Sequence, residues 1–349
     1  MEKMEFMKHE YRMDILRNHV VIGEALVTKC NVKFDGSALV QRGIQFSADL
    51  SRIAWNSPGL TLDLFQDRFQ PVLIVDGTEY PLGIYMVIAA PKTMNDRQSL
   101  TEIEAYDETM RLKQAAFTAR TLFSSGTRYL TAVETLLVQT GFSDIIADDS
   151  AAVLTSDREF AVGETYLDTI NTLLEEINYN AVWVDTAGAI HLSKKQNPVT
   201  PDFIYQDGDF NLIGSVKETT DLYDLPNVLV GVASNPDTKT AMYYKRVNDD
   251  PGSQISTVRR GYSVVKKFEL NSCPDEATLK NYIDQQYLES CQTTETVTIE
   301  TPLQGGHLFG SMVQLQTRQI EGLYRETSWE MDLETGGTMK HTLERKMFV

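Results

Sequence analysis

The sequence predicts a mainly β chain with α+β insertions, in which two β domains flank a smaller mixed module. Three observations carry this. Residues 24 to 106 alternate apolar and polar side chains in short runs, residues 126 to 178 switch to helical spacing, and the alternation returns from Asp209 onward. The length agrees, since 349 residues exceed what one core usually fills and suit two or three modules.

In the first β domain, residues 1–110, the half-buried strands are Ile44-Gln45-Phe46-Ser47, Leu60-Thr61-Leu62-Asp63-Leu64 and Thr101-Glu102-Ile103-Glu104-Ala105-Tyr106. Turns at Asp35-Gly36, Ser57-Pro58-Gly59, Asp76-Gly77 and Lys92-Thr93-Met94-Asn95-Asp96 separate them at intervals that suit an antiparallel barrel or sandwich.

The α+β module, residues 111–200, has two helices and a hairpin. Leu130, Val133 and Leu137 recur at helical spacing between Gly126 and Gly141, with Gly141 placed as a C-terminal cap. Tyr166, Leu167, Ile170, Leu173, Leu174 and Ile177 form a broader stripe that buries one face of a second helix. Asn180 to Val184 and Ala189 to Leu192 then pair across Asp185-Thr186-Ala187-Gly188. Asn197-Pro198 to Pro201 reads as a linker, because prolines exclude regular structure there.

The second β domain, residues 201–349, has Asn227 to Ala233 as its clearest strand, turned by Ser234-Asn235-Pro236-Asp237. A helix at about 274–291 is inserted, with Pro274 at its first position, Asp275 and Glu276 in its first turn, and Leu279, Ile283 and Tyr287 on one face. A C-terminal hairpin, Ser328 to Leu333 against Thr338 to Leu343, turns through Glu334-Thr335-Gly336-Gly337. Two β domains around a mixed insert suggest a diverged internal duplication.

Composition excludes several function classes. A formal charge of -17 repels phosphate backbones, so direct duplex binding is disfavoured, and no stretch is apolar and long enough to span a bilayer. Residues 1–10 do not read as a secretory signal. Cys30, Cys273 and Cys291 lack CxxC spacing and read as buried thiols of a reducing compartment.

A search for catalytic constellations is negative. GxSxG, HExxH, GxxxxGK[ST] and GxGxxG are absent, and His9, His19, His191, His307 and His341 lie far apart in patterned strands or polar turns, so all five read as structural or solvated. The acid pairs Asp148-Asp149, Glu175-Glu176 and Asp249-Asp250 point apart on any regular element and read as surface. Asp207-Gly208-Asp209 offers oxygens to a hard cation but lacks the remaining ligands of a calcium loop. Catalytic, cofactor and metal residues are therefore expected to be none. Trp55, Trp183 and Trp329 read as core. The basic cluster Arg259-Arg260-Gly261 lacks interleaved aromatics and reads as a salt-bridging interface with another domain or subunit.

Several stretches resemble phage tail hub proteins. Gly126-Thr127-Arg128-Tyr129-Leu130-Thr131-Ala132-Val133, the run from Tyr166 to Tyr179, and Val182-Trp183-Val184-Asp185 are similar to that family's middle domain. Asp221-Leu222-Tyr223-Asp224-Leu225-Pro226-Asn227, Ser234-Asn235-Pro236, Ile255-Ser256-Thr257-Val258-Arg259-Arg260-Gly261, and Trp329-Glu330-Met331-Asp332-Leu333 with Gly336-Gly337-Thr338-Met339 resemble its second half. The likeness runs from about Tyr80 to Leu343, through their number and order rather than any one motif.

The resemblance implies two tail-tube-like β-barrels per chain and a homotrimeric ring at the distal end of a tail tube. That ring would match sixfold tube to threefold tip, line a channel through which DNA passes, and be made in the host cytoplasm. Implied partners are the tail tube or distal tail protein, the tape measure protein and a tip or spike protein, with no membrane and no cofactor. The hairpin is the last element read, so lytic activity is expected from another protein. Two other readings are a tail-associated cell-wall hydrolase using Asp148 or Asp209, and a carbohydrate-binding adhesin with aromatics in a shallow groove.

Overall fold

The computed structural model describes residues 8–95, 98–196, 198–206, 213–220, 225–235, 240–270, 276–290, 292–318 and 320–348. It is mainly β with α+β insertions. The N-terminal strands are β1 (His9–Arg17), β2 (Val20–Ala25), β3 (Val27–Asp35), β4 (Arg42–Ala48), β5 (Ala54–Trp55), β6 (Arg68–Val75), β7 (Thr78–Pro81), β8 (Tyr85–Ala89), β9 (Lys92–Asn95) and β10 (Gln98–Asp107). The mixed module follows with α1 (Thr109–Gln114), β11 (Thr121–Phe123), α2 (Tyr129–Gln139), β12 (Ile145–Ala147), β13 (Arg158–Phe160), α3 (Tyr166–Glu176), β14 (Trp183–Val184) and β15 (Ile190–Leu192). Then come β16 (Phe203–Gln206), β17 (Ile213–Thr220), β18 (Val228–Asn235), β19 (Thr240–Val247), α4 (Thr257–Arg260), β20 (Val265–Leu270), α5 (Glu276–Ser290), β21 (Gln292–Pro302), β22 (Met312–Gln316), β23 (Glu321–Leu333) and β24 (Thr338–Phe348).

The compact units do not follow the chain-order division at 110 and 200. One holds residues 1–215 and 299–342, the other 216–298 and 343–349. The reason is a long-range pairing. The C-terminal hairpin, expected within the last β domain, sends β23 antiparallel along β3, with Trp329 opposite Phe34 and Leu333 opposite Cys30. Turn chemistry fixes a hairpin locally, but nothing local says which sheet it joins.

In the first unit the strand order runs β23, β3, β4, β10, β8, β6, β1, β2, β5. Alternation fixes the faces, so Ile15, Val32, Phe34, Ile44, Phe46, Phe69, Leu73, Ile103, Trp329 and Met331 share one core. Among the described residues this path is open, ending on the two-residue β5, so the barrel closure implied by the resemblance is absent from the pairings.

Leu60-Thr61-Leu62-Asp63-Leu64, expected as a strand, is instead a turn-containing loop. Its polar backbone groups are taken by side chains: Asp63 Oδ1 accepts from the Phe65 amide at 2.9 Å, Asp67 Oδ2 accepts from the Asp63 amide at 2.8 Å, and Arg17 Nη2 donates to the Thr61 carbonyl at 2.9 Å. Local carboxylate capture has displaced a ladder. β1 and β2, absent from the sequence reading, are joined through Asn18 and His19, both in the left-handed region at φ 50° and 61°, as a tight hairpin turn requires.

The mixed module has its own core beneath α2 and α3, formed by Leu130, Val133, Leu137, Leu167, Ile170 and Leu174 with Val184 and Ile190 of the hairpin. Gly141, at φ 86°, ends α2 as expected: its amide donates to the Val138 carbonyl and that of Phe142 to Leu137, both at 3.0 Å. Thr165 caps α3, its Oγ1 accepting from the Asp168 amide at 3.1 Å.

In the second unit, β19, β18 and β20 form a sheet whose Leu229, Ala233 and Met242 pack on Leu279 and Ile283 of α5. Gly231 is what allows this approach, because a Cβ there would lie 2.6 Å from Ile283. The expected helix start at Pro274 and Asp275, the turn residues Pro236 and Asp237, Asp96, Asn197, the 221–224 part of the resemblance, Asp207-Gly208-Asp209, Cys273 and Cys291 lie outside the described residues.

Candidate functional site

The outward face of β3, β4, β10 and β23 is a continuous polar surface organised by these pairings. Where Cys30, Val32, Ile44, Phe46, Ile103 and Met331 point inward, the intervening residues must point out. The register sets Asp332 beside Asn31, Asn31 beside Gln45, and Gln45 beside Glu104, in one row across the strands. Neighbouring rows place Glu330 by Lys33, and Lys29 by Ser47 and Glu102. Asn31 Nδ2 donates to Glu330 Oε1 and Asp332 Oδ1, each at 2.9 Å, so a neutral amide spaces two carboxylates. Glu102, Glu104, Glu330 and Asp332 outnumber Lys29 and Lys33, and a depression of about 620 Å3 opens onto this face. An acidic concave face repels phosphate.

On β23 the buried positions change parity, from Tyr324 and Glu326 to Trp329, Met331 and Leu333. Glu326 therefore shares its alternation with the outward Glu330 and Asp332, yet is buried. His307 Nδ1 lies 2.8 Å from Glu326 Oε2 and His341 Nδ1 lies 2.6 Å from Oε1, all three side chains being 0% exposed. His341 Nε2 is 2.8 Å from Thr301 Oγ1, and His307 Nε2 is 3.3 Å from the Tyr205 hydroxyl. The His307 ring stacks on Phe203 with centroids 3.7 Å apart. Burial would raise the Glu326 carboxyl, but the two imidazoles outweigh it and hold it below the usual carboxylate range. At His341 burial prevails and lowers the imidazole. The sequence reading gave both histidines structural or solvated roles; it could not bring together residues 307, 326 and 341, which meet only through the tertiary structure.

Arg259 and Arg260 lie in α4, a single turn capped by Ser256, whose Oγ accepts from the Arg259 amide at 3.2 Å, and ended by Gly261 at φ 76°. Arg260 Nη1 donates to the Leu225 carbonyl at 2.8 Å, while Arg259 is exposed. The segment is held from inside by Asn227, fully buried, whose Nδ2 donates to the Ile255 and Tyr262 carbonyls at 3.0 Å each and whose Oδ1 accepts from Val264 at 2.8 Å.

The remaining sequence candidates are dispersed. Asp148 Oδ2 accepts from the Lys194 amide at 2.8 Å, Asp149 pairs with Arg128 at 2.6 Å, and Glu176 accepts from the Tyr129 hydroxyl at 2.8 Å. His191 stacks on Trp183 at 4.1 Å and its Nε2 lies 3.0 Å from Asp185 Oδ2. Trp329 is core, whereas Trp55 and Trp183 are only partly buried. Burial pushes the Cys30 thiol up to about 12, which makes it inert. Among the described residues no helix is long and apolar enough to cross a membrane.

No family model matches the sequence, and no curated protein matches it. Solved structures do. A tail protein from Neisseria meningitidis superposes with a TM-score of 0.64 at 11% identity, covering 96% of both chains. The chain has the fold of phage tail proteins. The 43 kDa tail protein of prophage MuSo2 from Shewanella oneidensis gives 0.61 at 9% identity, over 96% of this chain and 98% of its own. A chain of the Francisella PdpA-VgrG complex gives 0.60 at 10% identity, over 97% of this chain and 58% of its own. The tail-protein fold therefore spans all but a few per cent of the chain, including both compact units.

Proposed function

We propose that this chain is a structural hub of a phage tail or tail-like particle, three copies closing a ring at the distal end of the tail tube. The observation that carries this reading is the likeness to tail proteins over 96% of the chain. The role is geometric rather than catalytic: three chains, each presenting two β domains, offer six similar contacts to a sixfold tube and three to the tip. The acidic face of β3, β4, β10 and β23 is turned to the bore, where carboxylates let DNA pass without adhesion. Arg259 belongs to a contact between neighbouring chains, with Arg260 shaping its turn. Partners are the tail tube or distal tail protein on one side, a tip or spike protein on the other, and the tape measure protein within. The hub is made in the host cytoplasm and resides in the tail.

Native mass and negative-stain class averages of the purified protein test this. A trimer with a central hole is the expected result. A monomer that stays monomeric when the cognate tube protein is added overturns the reading.

A further inference from the structure

We infer that His307, Glu326 and His341 form a binding site for a divalent transition-metal ion of the zinc class, held by two imidazole nitrogens and one carboxylate oxygen. Each side chain offers one ligand atom, and these atoms all lie within 4.8 Å of one another in a fully buried setting. The inference is independent of the ring proposed above.

Geometry and burial carry the site. His307 Nδ1 and His341 Nδ1 converge on the two oxygens of a single carboxylate at 2.8 and 2.6 Å, and all three side chains are 0% exposed. Thr301 Oγ1, 2.8 Å from His341 Nε2, and the Tyr205 hydroxyl, 3.3 Å from His307 Nε2, occupy the far side of each ring. With the ring protons on Nε2, both Nδ1 lone pairs and the carboxylate face one point, and a single cation placed among them accepts all of these lone pairs together.

The donor set and its supports match such an ion. Two neutral imidazoles and a carboxylate suit zinc, with a fourth position for water, and the Irving–Williams order extends the set to cobalt, nickel and copper. In that tautomer the Nε2–H groups donate to Thr301 and Tyr205 and hold each ring's orientation, as outer partners of metal-bound histidines do. Tetrahedral zinc places its ligand atoms about 3.3 Å apart, so loading asks the 2.6 and 2.8 Å nitrogen–oxygen contacts to open by roughly 0.5 to 0.7 Å. The ion would join the loop before β22 to β23 and β24, acting as a staple between strands.

The test uses the tag-free full chain, stripped with chelator and titrated with Co2+ and then Zn2+. One equivalent per chain, visible cobalt bands without a near-ultraviolet thiolate band, and a rise in Tm of about 5 °C or more with zinc are expected. His341→Gln and Glu326→Gln should lose the bands while Glu134→Gln, at an exposed position of α2, keeps them. Wild-type protein that shows neither bands nor a Tm shift overturns the site, as does a thiolate band, which would move the ion to cysteine. Because the wild-type chain alone decides, a variant that fails to fold leaves the test intact.

Discussion

Trp329 lies directly opposite Phe34 across the β23–β3 pair, ring centroids 6.0 Å apart, so the last hairpin completes the core that the N-terminal strands begin. Trp329 is 2% exposed, and removing its ring leaves a cavity in that core. Trp329→Ala should cost about 3–5 kcal/mol, against less than about 0.5 kcal/mol for the outward Glu330→Ala next to it. Urea denaturation of the two variants checks this. Equal losses would mean that the hairpin does not seal the core.

Gly231 sets the distance between β18 and α5. A valine there would drive its side chain into Ile283 and Leu279, whose atoms lie 2.6 to 3.0 Å from the position of a Cβ. Gly231→Val should cost about 1–3 kcal/mol through overpacking, although valine favours strands. Hydrogen exchange on α5 should show earlier opening. An unchanged helix would refute the close-packing role.

Glu108 is held below the usual carboxylate range because Arg68 and Arg111 outweigh the opposing effect of its burial. A depressed carboxyl stabilises the fold above its unfolded value, here near 4.5, and that stability is lost as the pH falls through the lower folded value. Acid should therefore destabilise the wild type over this range more steeply than Glu108→Gln, which is expected to be weaker at pH 7 but flatter toward acid. Denaturation midpoints at pH 7 and pH 3 compare them, and parallel curves would dismiss the pair.

The acidic face predicts a separation of stability from function. Glu102→Lys with Asp332→Lys should change unfolding free energy by no more than about 1 kcal/mol, since both side chains are exposed. In assembled particles the same pair should slow DNA release, read as delayed genome delivery. Unaltered delivery would remove this face from the bore.

Arg259→Glu should leave Tm within about 2 °C, because the side chain is exposed, yet weaken ring closure in native mass spectra. Trimers at wild-type abundance would take Arg259 out of the contact.

Much of the fold is legible because it is written in local chemistry. Gly141 and Thr165 mark the ends of α2 and α3 through φ and a hydroxyl cap, and the alternation of Ile44, Phe46 and Ile103 fixes which face of the sheet is core. The loop at 60–64 misleads by the same token, since its alternating leucines look like a strand until Asp63 and Asp67 capture the backbone. The short α1 and α4 are too brief to show a period.

What the sequence determined by itself is the mainly β character, the mixed insert, the surface acidity and the likeness to tail hubs, all properties of neighbours along the chain or of motif order. Only the tertiary structure decided that the last hairpin joins the first sheet, that Glu330, Asp332 and Glu104 share one face, and that His307, Glu326 and His341 meet. The first two outcomes depend on which strand edges pair across the length of the chain, about 300 residues in the Asn31 contact to Asp332. Strand edges present the same repeating amides and carbonyls, so the choice between them falls to side-chain packing over the whole core.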